Sequence, residues 1–186
     1  MERKELLNGF IHSANCYKKA IDILIVDDFE DLSTLYPCLF LIRQYLELIL
    51  KALIIKCVKD KNITNDKYIG HKLKALMNEI ADNDEIKDIL LIVNKSKVID
   101  LFDDIDQNGD YYRYPITTKN IMNKMETGFY LGNLVTENGD SIITEDGHSI
   151  AVSYHSTQQI NDINLAKKAY ELILLLSDRI NMLKEV

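Results

Sequence analysis

The chain has 186 residues, of which 47% are hydrophobic, and it carries a formal net charge of −7. This length and hydrophobic content suffice for one sizeable core, so we predict a single domain spanning residues 1–186. The acidic charge argues against broad adhesion to nucleic acid or anionic membrane, because such surfaces usually carry excess Lys and Arg. No apolar run approaches the roughly 20 residues that a membrane span requires, so no membrane partner is expected.

The first half of the chain has the three- and four-residue hydrophobic periodicity of helices. The spacing predicts a first helix over residues 2–25 and a second from an N-cap at Ser33 to about Val58. A short third helix is predicted over residues 71–81, and a fourth from Asp84 to about Asp104.

The second half of the chain begins with turn-forming dipeptides and short strand-like runs. The turn dipeptides Asn138-Gly139 and Asp146-Gly147 separate three short runs, residues 129–135, 141–144 and 149–154, that suit a small antiparallel meander. A long final helix is predicted from Gln159 to Glu185. The predicted fold is therefore mainly α: an up-and-down bundle of four to five helices, with a β meander over residues 129–154 inserted before the last helix.

Cysteine usage indicates the compartment. Cys16, Cys38 and Cys57 are odd in number, form no Cys-x-x-Cys pair and fall in helix-like segments. We therefore expect buried free thiols in a reducing environment, and a cytoplasmic location, because disulfides persist mainly in oxidising compartments.

The second helix carries a set of charges that we call the charged ladder: Arg43, Glu47 and Lys51. The three residues are four apart, so one carboxylate lies between two cations on a single helical stripe. Apolar residues cover nearly all of the remaining helix surface, which predicts that the ladder is at least partly enclosed. Two interpretations stay open: a structural brace within the bundle, or part of a functional site.

The ladder also carries a family resemblance. The pattern Arg43-x-x-x-Glu47-x-x-x-Lys51-Ala52-Leu53, followed by Gly70-His71-Lys72-Leu73-x-x-Leu76, resembles the HEPN domain of prokaryotic toxin–antitoxin and phage-defence systems. The segment Tyr112-Arg113-Tyr114-Pro115 is similar to a pattern in one branch of those proteins. The resemblance covers residues 1–115 and the last helix. It implies a helical bundle that is commonly a homodimer, and many members of the family are metal-independent ribonucleases.

The sequence departs from that family at the catalytic motif. HEPN ribonucleases carry an Arg followed, after four to six residues, by a His that works as acid or base. Arg43 and Arg113 have no nearby downstream His, and Arg3 lies nine residues from His12. No catalytic role is therefore transferred to a residue of this chain.

A substitute site remains a hypothesis. His71, Arg113 and the loop tyrosines Tyr111, Tyr112 and Tyr114 could meet in space with the charged ladder behind them. His71 could then titrate near neutrality, and Arg113 could bind a phosphate through its fork of donors. The alternative is that His71 makes only local hydrogen bonds and that the tyrosine-rich loop packs over the bundle.

No cofactor and no metal are predicted. Gly-rich phosphate loops and catalytic Cys/His signatures do not occur in the sequence. A loop from Asp104 imitates the first half of a calcium site, but its twelfth position is Pro115 where a bidentate Glu is needed. His12 and Cys16 are one helical turn apart, yet no second nearby pair completes a tetrahedral zinc site, and core packing is the expectation for Cys16.

Charge is distributed unevenly along the chain. Residues 51–74 hold seven Lys against two Asp, whereas residues 82–110 hold nine acidic residues against three Lys. The basic segment could orient RNA or pair two copies of the chain, and both segments could equally be solvated faces. We expect an HEPN-like, non-catalytic module that binds RNA, a nucleotide or a partner protein. The alternatives are a metal-independent ribonuclease that uses Arg113 and His71, and a structural dimerisation domain.

Overall fold

The computed structural model describes residues 3–25, 27–29, 31–57, 70–81, 83–105, 112, 130–133, 151–154 and 157–182. These residues are mainly helical, as predicted. Their helices are α1 (Arg3–Leu24), α2 (Leu32–Cys57), α3 (Leu73–Asn78), α4 (Lys87–Ser96), α5 (Val98–Ile105) and α6 (Thr157–Met182). Their strands are β1 (Tyr130–Asn133) and β2 (Ala151–Tyr154).

Helices α1 and α2 form an antiparallel hairpin. Nε of Arg3, at the start of α1, donates to the carbonyl of Ile55 near the end of α2 at 2.8 Å. Helix α2 starts earlier than predicted, because Asp31 caps it by accepting the Ser33 amide at 2.9 Å. Ser33 therefore lies inside the helix, and its prediction as the N-cap is wrong. Aspartate and serine are comparable caps, so residue type alone did not distinguish the two positions.

Helix α2 is the central element of the fold. It contacts α1, α3 and α6, which enclose it on several sides. Its apolar side chains are correspondingly buried, and those that are 0% exposed are Leu35, Leu39, Ile42, Tyr45, Ala52, Leu53 and Ile55. A polar residue on this helix must therefore find its partners within the protein.

The predicted fourth helix is two helices. Lys97 has φ 59° and ψ 9°, a left-handed conformation that ends α4 before α5 starts at Val98. The hydroxyl of Ser96 donates to the Val93 carbonyl at 2.7 Å and accepts the Val98 amide at 3.2 Å. The sequence did not predict this break because no Gly or Pro marks it. The break depends on hydrogen bonds between the Ser96 hydroxyl and backbone groups, which compete with the hydrogen bonds of a continuous helix.

Helix α6 runs antiparallel to α1. Two hydrogen bonds fix this direction: Asn15 Nδ2 donates to Asn181 Oδ1 at 3.2 Å, and the Tyr170 hydroxyl donates to Asp22 Oδ1 at 2.9 Å. The hydrophobic spacing predicts eight positions on the inner face of α6, and six of them are buried: Ile163, Ala166, Ala169, Ile173, Leu176 and Ile180. Tyr170 is half-buried, and Leu183 lies outside the described residues. The final helix thus completes the core around α2.

The strands β1 and β2 pair directly with each other. They are antiparallel, with Tyr130 opposite Tyr154 and Asn133 opposite Ala151. The predicted three-stranded meander is not seen in the part of the chain that the structure describes, and its middle run, residues 141–144, lies outside that part. The prediction placed a hairpin at each turn dipeptide, whereas β1 pairs directly with β2 in the structure.

The three cysteines have different environments. All are free thiols: Cys38 is buried, Cys57 is half-buried and Cys16 is exposed. The expectation of core packing for Cys16 is therefore wrong. Ala14 and Tyr17 lie on the side of α1 that packs against the hydrophobic core, and Cys16 lies outside that side.

Candidate functional site

The charged ladder is enclosed, as its surroundings predicted. Arg43, Glu47 and Lys51 are 0%, 4% and 8% exposed, respectively. Arg43 Nη1 donates to Glu47 Oε2 at 2.8 Å, and Lys51 Nζ donates to Glu47 Oε1 at 2.7 Å. Both carboxylate oxygens therefore receive a charged donor, which is the condition under which buried ions persist.

A third donor reaches the same carboxylate from another element. His71 lies two residues before α3, and its Nδ1 is 2.9 Å from Glu47 Oε1. Arg43 Nη2 also donates to the backbone carbonyl of His71. The imidazole and the backbone of His71 thus both bind α2, to residues 24 and 28 positions away in the chain, respectively.

The electrostatics of Glu47 favour its ionised form. Burial raises the pKa of the carboxyl, but hydrogen bonds from Lys51, Arg43 and His71 together lower it more. The pKa of Glu47 therefore lies below its ordinary value of 4.5. At neutral pH the group is a carboxylate that holds two cations and orients one imidazole.

His71 is the member of this group that faces solvent. Its side chain is 66% exposed, whereas the Glu47 side chain beneath it is 5% exposed. When Nδ1 donates to a carboxylate, the other ring nitrogen, Nε2, is left as an acceptor or proton carrier. Lys72 and Lys74, one and three residues after His71, are also exposed. The arrangement can present an oriented imidazole to an anion, beside two exposed lysines that are close to His71 in sequence.

The other predicted site residues have different positions. Tyr112 is buried, its hydroxyl donates to Asp162 Oδ1 at 3.1 Å, and its ring stacks on Tyr36 with centroids 6.3 Å apart. Its burial indicates a packing role at the start of α6. Tyr111, Arg113 and Tyr114 lie outside the described residues.

Asp162 was not recognised as a structurally important residue from the sequence. It is 1% exposed and accepts the Tyr112 hydroxyl. A signal was present, because Asp162, Ala166, Ala169 and Ile173 recur at four- and three-residue steps, which places the aspartate on the buried face of α6. The partner could not be read from this spacing, since it comes from a loop 50 residues away.

Comparisons with protein-family models, with curated proteins and with solved structures found no match. Within the described residues, no helix has both the length and the apolar content to cross a membrane. Clusters of three or more metal-ligating side chains are likewise absent from those residues. The site must be interpreted from its own geometry.

Proposed function

We propose that this protein is an HEPN-like module that binds RNA through the surface around His71, without cleaving it. The observation that carries the proposal is the pair formed by Glu47 and His71, in which a buried carboxylate holds an exposed imidazole at 2.9 Å. A side chain held in one orientation loses little conformational entropy when it contacts a ligand.

The residues beside His71 favour an anionic ligand. Lys72 and Lys74 are exposed and close to it in sequence, and lysines that neutralise phosphates supply most of the affinity in non-specific RNA binding. Lys74 also pairs with Asp100 at 3.4 Å, so a phosphate would compete with that carboxylate. The net charge of −7 limits binding to this local surface.

The charged ladder supports the surface from beneath. Arg43 is fully buried, so its role is to hold Glu47 and the His71 backbone in place. Lys51 and Glu47 are nearly as enclosed. The ladder is a brace in this proposal, and His71 is the residue through which it affects the ligand.

A metal-independent ribonuclease is the second candidate. The same pair favours it, because a carboxylate that accepts from Nδ1 of a histidine prepares Nε2 for general acid–base work. His71 would move the proton and Arg113 would stabilise the phosphate in this alternative. The two candidates differ in whether bound RNA stays intact.

The test is RNA binding by fluorescence anisotropy, with gel analysis of the same RNA in excess chelator. We expect His71→Ala and the double variant Lys72→Ala/Lys74→Ala to weaken binding, and Lys95→Ala, an exposed lysine on α4, to leave it unchanged. For single-stranded RNA, the slope of log affinity against log salt should fall by about 0.7 for each phosphate that the variant no longer neutralises.

Three results separate the interpretations. Intact RNA with His71-dependent binding supports the binding module, whereas cleavage that disappears in His71→Ala supports the ribonuclease. Wild-type protein that neither binds nor cleaves RNA contradicts both. Nucleotides added as competitors show whether the site recognises a mononucleotide or a longer strand.

The setting of the protein is part of the proposal. By resemblance to the HEPN domain, we propose a cytoplasmic homodimer that takes part in bacterial defence or in a toxin–antitoxin pair. Light scattering coupled to size-exclusion chromatography measures the mass directly. A monomer at all concentrations tested contradicts the dimer, and a dimer without RNA binding favours the third alternative, a structural dimerisation domain.

A further inference from the structure

The exposed cysteine has a histidine beside it. Cys16 Sγ and His12 Nε2 lie 3.8 Å apart on the outer face of α1, and both residues are exposed. This pair takes no part in the surface around His71. It brings together one sulfur and one imidazole nitrogen on a rigid helix.

The other two thiols are poor metal ligands by comparison. Burial raises the pKa of Cys38 to about 11. Burial and, to a smaller extent, the charge of Glu85 raise the pKa of Cys57 to about 11. Because the thiolate is the form that binds metals, neither group is suited to the task near neutral pH. Cys16 is the exposed thiol of the three.

The distance between the donor atoms matches a shared metal ion. Zinc lies about 2.3 Å from a thiolate sulfur and about 2.0–2.1 Å from an imidazole nitrogen, so tetrahedral geometry places the two donors about 3.6 Å apart. The observed 3.8 Å needs only a small side-chain adjustment. Two ligands four residues apart on a helix are also the spacing of zinc-binding His pairs.

The His12–Cys16 pair is open to solvent. Both residues are exposed, so water can reach the two donor atoms. The ion could therefore complete its coordination sphere with water. A site with two protein ligands and open positions differs from a closed structural zinc site, which has four protein ligands.

We propose that His12 and Cys16 form a two-donor binding site for a divalent transition metal of the zinc class. Sulfur and imidazole ligands favour zinc, cobalt or copper, whereas magnesium and calcium require oxygen ligands. On binding, the Cys16 thiol releases its proton to solvent, Sγ and neutral Nε2 each form a bond to the metal in place of a bound water molecule, and no electron is transferred. The competing explanation of the contact is an S–H···N hydrogen bond alone.

Cobalt(II) is the probe that tests the site. Reduced full-length protein is titrated with CoCl₂ without oxygen, and the thiolate-to-cobalt charge-transfer absorption is recorded. We expect a saturable band in the wild type that disappears in Cys16→Ser and His12→Ala. Cys57→Ser is the matched control and should keep the band, and circular dichroism checks that each variant is folded.

A second variant separates metal binding from the absorption signal. Cys16→His replaces the thiolate with another imidazole at the same spacing, so it should keep zinc binding, measured by competition with a chromogenic chelator, while losing the charge-transfer band. The proposal is overturned if the wild type shows no saturable band, if the band survives in Cys16→Ser, or if His12→Ala binds cobalt as tightly as the wild type.

Discussion

Replacing Glu47 with Ala is expected to destabilise the protein strongly. The carboxylate accepts from Lys51 at 2.7 Å, from Arg43 at 2.8 Å and from His71 at 2.9 Å, so the substitution removes three interactions at once. Breaking a buried ion pair by removing one partner costs about 3–5 kcal/mol, because the other charge stays buried. Arg43 is fully enclosed and bears most of this cost, whereas the side chain of Lys51 is 10% exposed. We therefore expect a loss of about 3 kcal/mol, at the lower end of that range.

Urea denaturation followed by circular dichroism measures this loss, provided that the slope with denaturant is unchanged. Lys18→Ala is the control: Lys18 and Asp22 also form a pair four residues apart, at 2.8 Å, but near the surface. Its removal should cost less than about 1 kcal/mol. If Glu47→Ala costs no more than Lys18→Ala, the charged ladder is not an enclosed brace and the support that we assign to His71 is refuted.

Three further predictions concern stability at low pH, a buried hydroxyl group and a residue in the left-handed conformation. The depressed pKa of Glu47 contributes stability that is complete above the ordinary pKa of 4.5. This contribution is lost as pH falls through the lower pKa of the folded state. The difference in urea midpoint between wild type and Glu47→Gln should therefore shrink as pH falls below 4.5. The buried Tyr45 hydroxyl has no hydrogen-bond partner among the described residues, so Tyr45→Phe should raise the free energy of unfolding by about 1 kcal/mol, and a clear loss in chemical denaturation would reveal a partner. Lys97→Gly should stabilise the protein by about 0.5 kcal/mol in thermal melts, since Gly accepts the left-handed conformation without steric cost, although its unfolded chain is more flexible. In the same melts Lys95→Gly, inside α4, should lose about 1 kcal/mol, and equal effects of the two substitutions would contradict this reasoning.

The candidate site was partly predictable because its first members are local. Arg43, Glu47 and Lys51 are placed on one stripe by the helical period alone, and the apolar residues around them predicted their enclosure. The contact with His71 was a hypothesis among several, since no local rule brings a loop residue onto α2. The hydrogen bond from Arg43 to the His71 carbonyl could not be anticipated, because every residue offers the same backbone acceptor.

The wrong predictions share one physical cause, because at each position two local conformations of nearly equal free energy compete. Asp31 and Ser33 are both good caps, and in the structure Asp31 accepts the Ser33 amide and caps the helix. The break at Lys97 opposes the steric preference of an L-residue, and hydrogen bonds of Ser96 and the packing of α4 and α5 compensate for it. Differences of about 1 kcal/mol between such alternatives are small beside the energy of tertiary packing.

By itself, the sequence determined the mainly helical class, the buried faces of α2 and α6, and the order of charges in the ladder. These features follow from residue type and spacing within one element, where the helical period converts sequence into position. Only the tertiary structure decided that Cys16 is exposed and which distant residue reaches each buried carboxylate, namely His71 on Glu47 and Tyr112 on Asp162. Those contacts join residues that are distant in the chain. They depend on how the helices pack against one another, and many different sequences are compatible with the same packing.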